Sequence, residues 1–308
     1  MRVNESINAL VELLDDPDEV VATHVQSKIV EQGEEVIPYL EKLQDRFLDD
    51  PQKSERINEM IHNIQFKALK ESFSKWILSE DKHLLEGVYL ACKYQFPEIT
   101  IDQLNDKLLE IKQAVWLEIN PKQTSFETIR VFNRIFYDHF DFKCSDALQH
   151  SPFDYFVNSV LETREGSDTA LGLIYSLVAQ SLELPIYGVS VDQPNKAFLL
   201  AYLDKNNILD ILDWGVHNNG VLFYISVSNK GVVVDPQRLE EAFKIEGLPI
   251  SKDQFEPTPN TVLVRNYLIQ ISKSCENLPY LRYKLKDLKE LIHLFDNLFI
   301  KKDGLVFF

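Results

Sequence analysis

The stretch Arg164-Glu165-Gly166-Ser167-Asp168-Thr169-Ala170-Leu171-Gly172-Leu173-Ile174-Tyr175-Ser176-Leu177-Val178-Ala179-Gln180 sets a glycine and three short polar residues in front of an apolar helical run. Several hydrolase folds seat a nucleophile at such a place. A helix N-terminus carries partial positive charge, which lowers a cysteine's pKa and favours the thiolate. This chain offers Asp168 there instead. The dipole also favours an acidic residue in a first turn for stability alone, and that is the simpler account of Asp168.

Working outward, residues 126–140 read as helical. The aromatics Phe132, Phe136, Tyr137, Phe140 and Phe142 fall mostly at i, i+4 spacing, as core side chains do. Downstream the pattern changes. Ile186–Val191, Phe198–Leu203 and Val221–Val227 read as strands joined by loops rich in Asn, Asp and Gly. Asp235-Pro236 opens another helix, with Asp as cap and Pro in the first turn. Two amphipathic stretches follow, Val262–Ser274 and Leu278–Phe299. The second puts Leu281, Leu285, Leu288, Leu291, Ile292 and Phe295 on one face, and the pair resembles a single tetratricopeptide-like hairpin.

Upstream, apolar residues between Ile7 and Leu43 recur at helical spacing, with breaks at Asp15-Asp16-Pro17-Asp18 and Gln32-Gly33. The pattern is similar to one HEAT-type repeat. An array needs about three copies, so the segment is read as a helical cap on a larger domain. More helices lie between Ile57 and Ile119, among them Leu69–Leu78 and one through Leu84, Leu85, Val88, Tyr89 and Cys92, with Pro97 and Pro121 punctuating their ends.

Composition narrows the function classes. A chain of 308 residues with 45% hydrophobic content buries a full core. Its net charge of −16 is a poor match to a phosphate backbone, which argues against nucleic acid as a partner. No apolar run approaches the roughly 20 residues that span a membrane, and the first residues lack a secretory pattern, so a cytoplasmic location and no membrane partner are expected. The three cysteines, Cys92, Cys144 and Cys275, are far apart and suggest neither a disulfide framework nor a CxxC metal site. The seven histidines show no HxxxH or HExxH spacing, so no metal or other cofactor is expected.

Other candidate nucleophiles are weaker. Ser167 and Thr169 need a positioned base. The nearest histidine downstream, His217, lies in a DWGVHNNG loop and reads as solvated. Cys144 is close in sequence to His139 and His150, yet it lies upstream of the helix whose N-terminus would activate it, and an idle cysteine is the simpler reading.

The segment Asn158-Ser159-Val160-Leu161-Glu162-Thr163-Arg164-Glu165-Gly166, followed by Leu182-Glu183-Leu184-Pro185-Ile186-Tyr187-Gly188-Val189, resembles the SirB1 family of transglutaminase-like proteins. The preceding SKWILSEDKHLLEGVYLACKYQFPEIT is similar to that family's N-terminal helical domain. Gly220 to Gly231 is similar to its "IDPFnGG" strand and turn. The resemblance implies a papain-like core in which active relatives carry a cysteine at a helix N-terminus and a histidine and an aspartate on an antiparallel sheet. All three are needed, because the base takes the thiol proton and the acid orients the imidazole.

Aligned on Leu184-Pro185, the cysteine position falls on Asp168; many members of the SirB1 group have proline there. The histidine position in "PGHF" falls in Pro194-Asn195-Lys196-Ala197-Phe198, on Ala197 or Lys196. The aspartate position in "IDPF" falls in Ile225-Ser226-Val227-Ser228, on Ser226. Another register would use Asp235-Pro236 as the "DP", with thiol and imidazole still missing.

The expected fold is therefore α+β: mostly helical, with a transglutaminase-like core of a central helix on a small antiparallel sheet, flanked by N- and C-terminal helices. Four parts are expected: a HEAT-like cap at 1–48, a helical domain at 49–120, the transglutaminase-like core at 121–250 and a tetratricopeptide-like hairpin at 251–308. The function expected is catalytically inactive binding of an unknown protein or peptide, in a cleft lined by Asp168, Asn195, Lys196 and Ser228. The alternative is a hydrolase or acyl transferase whose nucleophile has moved to Cys144, Ser167 or Thr169.

Overall fold

The computed structural model describes residues 10, 19–47, 49–145, 151–189, 198–204, 220–245, 247, 255–276, 278 and 281–303. The chain divides into two compact units, 1–75 and 76–308. In the first, α1 (Glu19–Glu31), α2 (Ile37–Arg46) and the start of α3 (Pro51–Leu78) surround Val25, Ile29, Val36, Leu40, Ile57, Met60 and Ile64, all buried. Gly33 separates α1 from the turn before α2 at φ 77°, a left-handed conformation that costs glycine little.

The second unit takes the last residues of α3 and continues with α4 (Leu84–Gln95), α5 (Ile101–Glu118) and α6 (Ser125–Asn133). Thr100 and Thr124 each form a reciprocal capping box at the starts of α5 and α6. The helix of α6 continues as a π-helical turn, Arg134–His139. There follow β1 (Lys143–Cys144), a 3₁₀ turn (Pro152–Tyr155), α7 (Val157–Thr163), β2 (Glu165–Gly166) and α8 (Asp168–Ser181). Next come β3 (Ile186–Val189), β4 (Leu199–Leu203), β5 (Val221–Ser226), β6 (Val232–Val234), α9 (Pro236–Ile245), α10 (Asn260–Cys275) and α11 (Arg282–Asp303).

Every residue of α8 from Ala170 to Ala179 is buried. A helix apolar on all sides must be enclosed, and α8 is packed by α5, α7 and the sheet. That sheet is antiparallel in the order β3-β4-β5-β6. Its other face packs Val189, Leu199, Ala201, Val221 and Tyr224 against Leu239 of α9 and Phe255. Gly172 lets the Phe198 ring lie directly on α8, since a Cβ at that position would overlap the ring. At the C-terminal end α10 packs on α4 and α11, with Arg265 Nε bonded to Asp296 Oδ1 at 2.7 Å.

The helix-rich α+β expectation, with a central helix on a small antiparallel sheet, describes this architecture. The short parallel pair β1-β2 and the strand β6 are elements that the sequence pattern did not reveal. Two and three residues are too few for a period to register. Among the described residues no helix is long and apolar enough to cross a membrane, and no three His, Cys, Asp or Glu side chains gather to hold a metal ion.

Candidate functional site

Local chemistry fixes the start of α8. The N-cap is Ser167, whose Oγ accepts the Ala170 N–H at 3.2 Å while its own N–H donates to the Asp154 carbonyl at 2.8 Å. Asp168 is the first helical residue. Its Oδ1 accepts the Thr169 N–H at 2.7 Å and the Thr169 hydroxyl at 3.3 Å; its Oδ2 accepts the Phe198 N–H at 2.9 Å. Both carboxylate oxygens are thus used by the chain itself. Charge-assisted bonds of this kind are about twice as strong as neutral ones.

The sheet brings the third position alongside. Leu199, next after Phe198, lies opposite Ser226 in the β4-β5 ladder. The Ser226 carbonyl accepts Asn229 N–H at 3.3 Å and Gly231 N–H at 2.9 Å, closing the turn to β6. Ser228 is exposed in that turn, and the Tyr137 hydroxyl donates to the neighbouring Val227 carbonyl at 3.1 Å. Asp168, the start of β4 and Ser226 therefore meet at one end of the sheet. Asn195, Lys196 and Ala197, like His150 and His217, lie outside the described residues.

Asp235 has a different post. Its Oδ1 accepts the Gln237 and Arg238 N–H groups at 2.9 and 3.3 Å, capping α9. The ladder pairs Ser226 with Val232 and Tyr224 with Val234. Asp235 thus stands three residues along from Ser226's partner, roughly 10 Å down the strand.

Cys144 is where the structure departs most from sequence reasoning. Being upstream in the chain does not keep it from α8. The parallel β1-β2 pair sets Cys144 opposite Gly166, two residues before Asp168. The thiol is nevertheless pushed up to about 12, first by burial and then by the negative charge of Asp168. The helix N-terminus that would favour a thiolate is occupied by a carboxylate that opposes one.

The neighbouring phenols respond in the same way. Burial raises Tyr137 and Tyr155, with Cys144 adding to the first and Asp168 to the second. Tyr155 and the Tyr137 bond to Val227 are site features that sequence reasoning missed, because it read Tyr137 only as a core aromatic. The aromatic cluster is indeed core: Phe132 stacks on Tyr175 at 4.0 Å and Phe136 on Phe142 at 4.4 Å. His139 lies edge-on to Phe140 at 5.0 Å. The Ser167 hydroxyl is buried in its capping role and the Thr169 hydroxyl is turned to Asp168.

A family model described as transglutaminase-like superfamily matches residues 102–268, more than half of the chain, from α5 into α10. The chain belongs to the transglutaminase-like superfamily. No curated protein and no solved structure matches it.

Proposed function

We propose that this chain is a catalytically inactive, SirB1-type member of the superfamily, a pseudoenzyme that acts by binding a protein or peptide in the cleft that the sequence assigns to Asp168, Asn195, Lys196 and Ser228. One observation carries the reading. At the position aligned with the family nucleophile stands a carboxylate whose oxygens hold Thr169 and Phe198, and whose charge disfavours the nearest thiolate.

Acyl transfer to or from a thiol needs a thiolate, a base within reach and an orienting acid. The aligned positions supply a carboxylate, an amine or methyl group, and a hydroxyl. The reading is tested by ammonia release from a glutaminyl peptide with an added primary amine. Release at the level of buffer, unchanged in Cys144→Ala, agrees with it; turnover that Cys144→Ala abolishes contradicts it.

The closeness of Cys144 to α8 is the one observation that favours the alternative, a hydrolase or acyl transferase with a relocated nucleophile. Fast iodoacetamide labelling of Cys144 near neutral pH would support that alternative, and uniformly slow labelling of the three cysteines would remove its thiol form. For the binding reading, Asp168→Arg with Lys196→Glu should abolish capture of whatever partner the intact protein retains. Capture unaffected by the pair would move binding away from this cleft.

A further inference from the structure

We infer that the open edge of β6 is a second docking site, which takes an extended acidic peptide as an added strand. Among the described residues β6 is the last strand of the sheet and has β5 on one side only. An exposed edge presents unpaired backbone N–H and C=O groups, a template on which an extended peptide can pair. Proteins often blunt such an edge by keeping it short, and β6 has only three residues. What it leaves open faces a groove of about 910 Å³ lined by α6, by Leu222 and Phe223 of β5, by β6 and by the start of α9. Its lining includes the apolar side chains of Phe126 and Val232, exposed at 51% and 47%.

The charge of the groove selects the occupant. Arg130 of α6, Lys230 of the turn and Arg238 of α9 line it against a single carboxylate, Asp235. None of the three cations is within ion-pairing distance of a described carboxylate, though Arg130 adds to the Thr124 bonds that hold the Glu127 carboxyl down. Asp235 is already engaged as the cap of α9. In a chain of net charge −16 this is a local inversion of sign, so an acidic segment repelled elsewhere is attracted here.

The wall is also held in place. Asn133 Nδ2 donates to the Gly231 carbonyl at 2.8 Å and its Oδ1 accepts the Tyr175 hydroxyl at 3.0 Å, which fastens the β5-β6 turn to α6 and α8. The backbone edge supplies affinity without sequence preference, and the cations supply the preference for carboxylates. The groove shares none of Asp168, Cys144 or Ser226, so the inference stands apart from the cleft reading.

The test uses the full chain and a fluorescein-labelled peptide of about eight residues alternating valine and glutamate, followed by anisotropy; β6 spans only about 10 Å, so this length suffices. Saturable binding is expected, weakening with salt. The valine–lysine counterpart, and the variant Arg130→Glu with Arg238→Glu, should each bind about tenfold or more weakly. Methylating alternate backbone nitrogens of the peptide, in either of the two phases, should abolish binding for one phase. Circular dichroism checks the folding of the double variant; if it fails, Lys230→Glu, in an exposed turn, replaces it.

No saturable binding, equal binding of the lysine peptide, or no loss on charge reversal overturns the proposal. So does full retention with both methylated peptides, which would mean adhesion of charges without strand pairing. A dimer that the same charge reversals dissociate would place a second copy on the edge and overturn it as well.

Discussion

The carboxylate of Asp168 accepts the backbone N–H of Phe198 at 2.9 Å, so the first turn of α8 is tied to the start of β4 by a charged hydrogen bond. Bonds to charged groups contribute about 1.5–3 kcal/mol net. Asp168→Ala is expected to lower the unfolding free energy by about that amount, and Asp168→Asn by less, because an amide oxygen still accepts one bond. Urea titration measures both. An unchanged midpoint in Asp168→Ala would mean that the strand is held by other contacts.

Removing the charge of Asp168 should also be felt at Cys144, whose thiol burial and that carboxylate together push up to about 12. At pH 7 a thiol with such a value is thiolate in about one molecule in 10⁵. Alkylation of folded protein is therefore expected to be slow and to rise steadily with pH, and Asp168→Asn should accelerate it. Mass spectrometry of the Cys144 peptide over time gives the rate. Equal rates in the two proteins would separate Asp168 from the thiol electrostatically.

Alkaline stability follows from the same shift together with that of Cys92, which burial raises to about 11. Both thiols start from an ordinary value of 9.0, and the folded state holds them neutral above it. The unfolded chain releases their protons first. The stabilisation is complete below about pH 9 and is lost as pH rises through 11 and 12. Urea midpoints should fall across that window, less steeply in Cys144→Ala than in the parent. A midpoint that rises with pH there would reverse the assigned sign.

Gly172→Ala sets helix propensity against packing. Alanine in a helix interior is favoured over glycine by about 1 kcal/mol. The added methyl overlaps the Phe198 ring, and overpacking a core costs about 1–3 kcal/mol. A lower melting temperature is expected. A higher one would show that the Phe198 ring moves aside freely.

Much of this architecture was legible in the sequence because long apolar periods announce buried helices, and short apolar runs between loops rich in Asn, Asp and Gly announce strands. α8 and the four-stranded sheet's first three members were readable in that way, and so was Asp235 as a cap. β6 was not, since three valines after a turn carry no period of their own. The surroundings of Cys144 were not legible either. Their cause is a parallel pairing between two-residue strands far apart in the chain, and separation along a sequence carries no information about such a pairing. Asp168 was singled out by position, yet the role of the Phe198 N–H as its partner depends on the start of β4 folding back onto α8, which only the three-dimensional packing supplies.

The central claim is that no activated nucleophile stands at the start of α8. It is tested most directly by exposing folded and urea-unfolded protein near neutral pH to the same broad acyl electrophile and comparing labelling residue by residue. The account predicts that Cys144, Ser167 and Thr169 all label more slowly in the folded chain than in the unfolded one. Faster labelling of any of the three in the folded chain, lost on unfolding, would contradict it.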